Sequence, residues 1–351
     1  MLRLTNDVLF SINENGVATI VLNRPKALNS LNTEMVDAIG KRLDQWETDP
    51  QVKCVLIKGA GEKGLCAGGD IKTLYSAQDS EENLEKAYTF FEVEYETDLA
   101  VANFSKPIIA YLDGIVMGGG VGLTAGADFK IVTERTTWAM PETSIGFFPD
   151  VGGAYFLNRA PGHIGRYLGL TGIQLKENDI LYAKAANYYL SRTHAESFFK
   201  RLENLEFTED SEQAIIHLLN DFSETSTHEA KLETLQKDIN RHFAYSTVEE
   251  IIASLETDSS DFAKQTKKLL LSKSPVSLKV TLKQLIDGKG KSLADCLATD
   301  LILSKNFMKH PDFFEGVRSV IIDKDSQPNY EYKSLESVSS ELVNRFFVSD
   351  N

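Results

Sequence analysis

The sequence predicts an α/β fold of coiled ββα units followed by a helical C-terminal region. Three observations carry that expectation. Strand, strand and helix patterns recur in that order through residues 1–200, which are expected to form the core. Glycine-rich turns punctuate them. Residues 201–351 then turn rich in Leu, Lys and Glu at helical spacing, with few glycines.

The chain opens on a hairpin. Val8–Ile12 and Val17–Leu22 are β-rich, and Asn15-Gly16 between them is a strong turn signal. After Arg24-Pro25 a helix begins near Thr33, with Met35, Ala38, Ile39, Leu43 and Trp46 on one face. Val52–Lys58 and Ile108–Leu112 read as strands, the second followed by a turn at Asp113-Gly114. Ile115–Met117 then leads into Gly118-Gly119-Gly120 and a helix of small residues through Ala127. Lys130–Thr133 and Thr137–Met140 form the next strand pair. Residues 195–310 are helical in pattern, with polar connectors at Ser223–Thr227 and Asp258–Asp261. From Ser211 to Leu270 the helices are amphipathic, and their charges read as a solvated face.

Composition narrows the function. The chain of 351 residues is 42% hydrophobic and 25% charged, as in ordinary globular proteins. Its 37 basic and 51 acidic residues leave a net charge of −14, which argues against nucleic-acid or anionic-membrane partners. A local basic patch for a small polyphosphate ligand is compatible with that charge. Cys54, Cys66 and Cys296 are too few for a disulfide framework, lack metal spacing, and suit a reducing compartment. Six scattered histidines form no HExxH pattern, so no metal is expected. No apolar stretch reaches the ~20 residues that span a bilayer, and MLRLTNDVLFSI has no signal-peptide core. The expected location is cytoplasmic, and assembly into a homo-oligomer stays open.

Two glycine clusters bear on chemistry. Gly120-Val-Gly122-Leu-Thr-Ala125 matches a dinucleotide fingerprint, but it lies mid-chain among strand pairs that do not alternate with long helices. Alternatively, Cys66–Asp70 and Met117–Gly122 each offer a backbone N–H, and two such donors would make an oxyanion hole for a thioester carbonyl. Close backbone packing accounts for the glycines equally well. A third stretch, MPETSIGFFPDVGG, sets Glu142 and Asp150 in an apolar run. They form either a cap and a turn or a carboxylate pair for catalysis.

In combination, Arg24-Pro25-Lys26-Ala27-Leu28-Asn29, Ala67-Gly68-Gly69-Asp70-Ile71 and Gly118-Gly119-Gly120 resemble, in order, the motifs of the crotonase (enoyl-CoA hydratase/isomerase) superfamily. The resemblance implies a spiral of ββα units. It implies CoA contacts from Arg24, Lys26, Ala27, Leu28, Ala67, Gly68, Asp70 and Ile71, and oxyanion donors at Gly69 and Gly119. Met140–Gly153, Ser274–Lys279, Asp312–Arg318 and Ile322–Asp325 extend it over nearly the whole chain. They are similar to the branch that hydrolyses a short branched 3-hydroxyacyl-CoA in valine breakdown.

Departures from the hydratases point the same way. Their first catalytic glutamate would fall at Gly122, which has no side chain; the second matches Glu142. Asp150 stands where they have glycine. The resemblance therefore implies Glu142 as nucleophile or as base toward water, with Asp150 handling protons near the departing sulfur or the attacking water. It also implies that Glu94 binds the substrate's 3-hydroxyl, although the residues alone read Glu94 as a solvated carboxylate on a Glu-rich helix. Gly119, Glu142 and Asp150 would share the acyl group with it. Cys66 reads as a packing residue. Coenzyme A would be part of the substrate, with no separate cofactor. The alternatives are an enoyl-CoA hydratase or isomerase, and a non-catalytic CoA- or RNA-binding scaffold.

Overall fold

The structure, a computed structural model, describes residues 6–207, 210–224 and 229–349. The N-terminal hairpin forms as expected. β1 (Val8–Ile12) and β2 (Val17–Leu22) pair antiparallel, and Gly16 takes the left-handed φ of 92° that the turn requires. β3 (Cys54–Gly59) starts two residues later than the sequence predicts, because the Val52 N–H turns back to the Asp49 carbonyl at 3.1 Å. β4 (Gly64–Cys66), β5 (Ile108–Leu112), β6 (Ile115–Met117), β7 (Phe129–Val132), β8 (Thr137–Ala139) and β9 (Tyr188–Tyr189) follow.

Strand order explains the strand–strand–helix beat. One sheet runs β1-β2-β3-β5-β7-β9 and a smaller one runs β4-β6-β8. After the β1–β2 hairpin, the pairs β3–β4, β5–β6 and β7–β8 each give their first strand to the larger sheet and their second to the smaller. Strands β3, β5 and β7 are parallel neighbours, and every residue of β5 is buried. Continuous burial is what a parallel central strand covered on both faces requires.

The described residues divide into two compact units. One takes in residues up to Gly69, Val93–Trp138 and Leu175–Lys231. Its core joins sheet residues Val17, Leu56, Ile109 and Ile131 to Phe198 and Leu218 of the helices Arg192–Glu203 and Ser211–Phe222. In this unit the helix Thr33–Thr48 buries Met35, Ala38, Ile39, Leu43 and Trp46, the face its spacing predicts. Asn32 caps it, accepting from the Met35 N–H at 2.9 Å.

The other unit comprises Asp70–Glu92, Ala139–Gln174 and Leu232–Asn351. It is mainly helical, and Ser260 caps Asp261–Leu271 at the connector expected there. Of the other expected connector, Ser223 ends a helix, while Thr225, Ser226 and Thr227 lie outside the described residues. Among the described residues no helix is long and apolar enough to cross a membrane.

Candidate active site

The glycine loops owe their proximity to strand register. β4 and β6 run parallel, with Cys66 opposite Val116, so the loops that follow them leave the small sheet at the same end. Gly118 takes φ 50° and ψ −122°, a conformation that only glycine adopts readily, and the helix Gly119–Ala125 starts from it. A β-carbon placed on Gly119 would lie 3.3 Å from the Gly69 nitrogen and 2.3 Å from Glu94 Oε1. Gly69, Gly119 and Glu94 therefore converge on one small space. Neither the Gly69 nor the Gly119 N–H donates to a backbone carbonyl among the described residues, which leaves two donors for an incoming oxygen.

Glu94 corrects the reading of a solvated carboxylate. Its helix, Glu81–Asn103, leaves Glu96 exposed and lets Glu92 pair with Lys305 at 2.6 Å, but Glu94 is only 2% exposed. Cys66 is buried beside the loop, its thiol pushed up to about 12 by burial. It stays protonated at neutral pH and is no nucleophile. Its β-carbon lies 2.7 Å from where one on Gly120 would sit, so it fills the space that this glycine vacates.

Glu142 and Asp150 are brought together as the sequence suggested, by an irregular segment. Glu142 opens a short 3₁₀ turn through Ile145, and Gly146 at φ 69° reverses the chain. Phe147 and Phe148 then turn inward. Phe147 packs against Phe91, Phe307 and Phe313 with ring centroids 5.9, 5.3 and 5.3 Å away, and Phe148 lies 5.3 Å from Phe307. Glu142 is 7% exposed and Asp150 6%. Burial, and after it the charge of Asp150, push the Glu142 carboxyl well above the usual carboxylate range. Glu142 Oε2 is buried with no hydrogen-bond partner among the described residues. A buried oxygen left this way in a native fold calls for an explanation, and a reactive role is one.

The sequence reading missed Asp300. It lies on the helix Leu293–Phe307, fully buried with Leu297, Leu303 and Phe307. An acid on an apolar helix stripe was the one available signal. Asp300 Oδ2 accepts the Gly152 N–H at 2.9 Å, and Oδ1 accepts from Gln284 Nε2 at 2.7 Å. Burial, and after it the charge of Asp150, raise its carboxyl too.

The expected CoA-contact residues divide in behaviour. Arg24 is held internally, donating to the Ser30 carbonyl at 2.7 Å with Asp7 at 3.5 Å. Lys26 is exposed on the 3₁₀ turn Pro25–Ala27, and Leu28 follows at φ 54°. The Ala67 N–H donates to the Leu28 carbonyl at 3.0 Å and the Leu31 N–H to the Gly68 carbonyl at 2.9 Å, tying this segment to the first glycine loop. Asp70 and Ile71 open the helix Ile71–Tyr75. Among the described residues no cluster of His, Cys, Asp and Glu has a geometry that could hold a metal ion.

Two glycine-loop backbone donors beside the buried Glu94, in a sheet pair of ββα units, have the form of a crotonase-fold enzyme. The chain belongs to the enoyl-CoA hydratase/isomerase family, whose model matches residues 17–347. It is similar to the mitochondrial 3-hydroxyisobutyryl-CoA hydrolase of Gallus gallus, 41% identical over 97% of this chain and 88% of that protein. The human enzyme of the same name is 41% identical over 94% and 86%. Among solved structures, a carnitinyl-CoA dehydratase from Mycobacterium thermoresistibile superposes with a TM-score of 0.91, at 33% identity over 99% of this chain and 98% of that one. An enoyl-CoA hydratase from Rhodobacter sphaeroides gives 0.88, at 34% identity over 98% of both.

Proposed function

We propose that this protein hydrolyses 3-hydroxyisobutyryl-CoA to 3-hydroxyisobutyrate and coenzyme A, a step of valine breakdown. The observation that carries the reading is the buried Glu142–Asp150 pair, with Glu142 Oε2 unpartnered, in a chain whose other hydratase position is Gly122. Hydration needs a second acid there, and glycine supplies none. Relatives at 41% identity that are named for this hydrolysis support the same substrate.

In this reading the Gly69 and Gly119 N–H groups polarise the thioester carbonyl, each such donor worth ~3 kcal/mol in the transition state. Glu142, ionised, attacks the carbonyl carbon. Its raised proton affinity makes it the stronger nucleophile once ionised. The C–S bond breaks, the sulfur takes a proton from Asp150, and a mixed anhydride remains. Water then opens the anhydride, giving its proton back to Asp150, and Glu142 is regenerated. In the variant pathway Glu142 is a base that takes a proton from water directly. Single turnover in ¹⁸O-water separates the two, because only the anhydride route can place label in the Glu142 carboxylate. Glu94 accepts from the substrate's 3-hydroxyl, and Lys26 offers charge to the CoA phosphates. Coenzyme A enters as part of the substrate, and no further cofactor is invoked.

Incubation with 3-hydroxyisobutyryl-CoA and with crotonyl-CoA, in the presence of a thiol reagent, tests the proposal. Thiol release from the first is the expected result. Loss of enoyl absorbance without thiol from the second would instead make the protein a hydratase, and silence on both with CoA still bound would make it a scaffold. Three buried free thiols support a reducing compartment. The cytoplasmic expectation stands against the mitochondrial names of the relatives, and cell fractionation decides between them.

A further inference from the structure

Asp300 has a claim on the reaction that neither its helix nor the motifs suggest. The turn after Asp150 is left-handed twice over, at Val151 (φ 52°) and Gly152 (φ 80°). For a β-branched residue that backbone is strained and persists only where neighbours over-determine it. The neighbours here are Asp300 and Gln284. Asp300 Oδ2 holds the Gly152 N–H at 2.9 Å, and Gln284 Nε2 bridges Asp300 Oδ1 at 2.7 Å to the Pro149 carbonyl at 2.8 Å. The residue before Asp150 and the second residue after it are thus gripped by one two-residue clamp, with all four groups buried.

We propose that Asp300 is a positioning residue for the hydrolysis, fixing the direction of the Asp150 carboxyl by clamping the turn that carries it. The inference rests on the reaction proposed above, in which Asp150 carries protons. Nothing about the clamp's hydrogen bonds demands an acid: an amide oxygen would also accept the Gly152 N–H, without the desolvation that a buried carboxyl suffers. The acid adds a second, rigidly held acceptor for Gln284. Burial and, after it, the charge of Asp150 raise the Asp300 carboxyl, which places the two side chains within electrostatic reach of each other.

The experiment measures thiol release from 3-hydroxyisobutyryl-CoA by wild type, Asp300→Ala, Asp300→Asn, Asp150→Asn and the double variants, with melting temperatures. Misplacing a reacting group by about 1 Å loses ~10²-fold, so Asp300→Ala is expected to lower kcat about that much while KM stays within threefold. Asp300→Asn, which keeps one acceptor for Gly152, is expected to recover at least tenfold of the loss. On an Asp150→Asn background the Asp300 substitutions are expected to have little further effect, since they act through Asp150. Wild-type kcat in folded Asp300→Ala, or losses that multiply in the double variants, overturns the proposal. If Asp300→Ala does not fold, the Asp300→Asn pair decides by the same criterion: a kcat reduced on the wild-type background and unchanged on the Asp150→Asn background. A wild type that releases no thiol overturns the function itself, a distinct result.

Discussion

The glycine loops and the carboxylate segment solve opposite problems. At Gly69 and Gly119 the groups proposed to act are backbone N–H donors, placed by two parallel strands in register, and a side chain on Gly119 would strike Glu94. At Glu142 and Asp150 the groups proposed to act are buried side chains, on a segment whose Phe147 and Phe148 pack against Phe307 and whose turn is steadied from a helix far along the chain. A backbone donor does not titrate, so the two N–H groups themselves carry no pH dependence. Buried carboxyls pay a desolvation penalty and couple to one another, so the second carries the pH dependence. Local motif encodes the first; tertiary support completes the second.

Substitutions can break the comparison from either side. The largest effect is expected at Asp150→Gly, which restores the hydratase residue. Thiol release should fall ~10²–10⁴-fold, the usual contribution of a positioned acid or base, with CoA binding nearly intact. Crotonyl-CoA hydration should not appear, since Gly122 still offers no acid. A folded Asp150→Gly that hydrolyses at the wild-type rate would reduce Asp150 to a turn residue.

Gly119 comes next, and two substitutions sharpen its role. Gly119→Pro removes the donor and should lose ~10²–10³-fold in kcat. Gly119→Ala keeps the N–H but drives a β-carbon at Glu94 Oε1. If both lose equally, steric exclusion and not hydrogen-bond donation explains the glycine. For Glu94→Ala the expected loss is roughly 1.5–3 kcal/mol on the 3-hydroxyacyl substrate, the worth of a hydrogen bond to a charged group, and far less on the matching acyl-CoA. Equal loss in kcat/KM on both would remove Glu94 from hydroxyl recognition.

The smallest effect is on stability. A glutamate whose folded pKa is raised is most favourable when protonated, below the ordinary glutamate value. That stability is lost as pH rises through the folded pKa, where the buried group must ionise. Glu142→Gln should therefore melt higher than wild type at neutral pH and match it near pH 4. Calorimetry at the two pH values checks the sign, and a destabilised Glu142→Gln at pH 7 contradicts it.

How much of this was legible in the sequence follows from how far each feature reaches. The hairpin was readable because Asn15-Gly16 fixes its turn locally, and β5 because a glycine turn follows Leu112; Ile115–Met117 read only as a short apolar stretch, and pairing with β4 makes it β6. Glu142 and Asp150 were readable because eight residues hold both. Glu94 on its own was misread: the glutamates around it are solvated or paired, and only its close approach to Gly119 shows that it is buried. β9 went unread because two tyrosines make a strand only by pairing with β7. The roles of Asp300 and Gln284 could not be read, although an acid on an apolar stripe hinted at the first, because their partners are 148 and 135 residues away and no local pattern spans that distance.

The clamp on Gly152 also sets a clock. A ribosome adds ~5–20 residues per second, so the 148 residues between Gly152 and Asp300 take roughly 7–30 s to make. Throughout that interval the nascent chain already displays every motif from Arg24 to Asp150, with the left-handed turn at Val151 still unsupported. Nascent chains arrested before residue 300 should release no thiol, and activity should emerge only once the helix Leu293–Phe307 has cleared the exit tunnel.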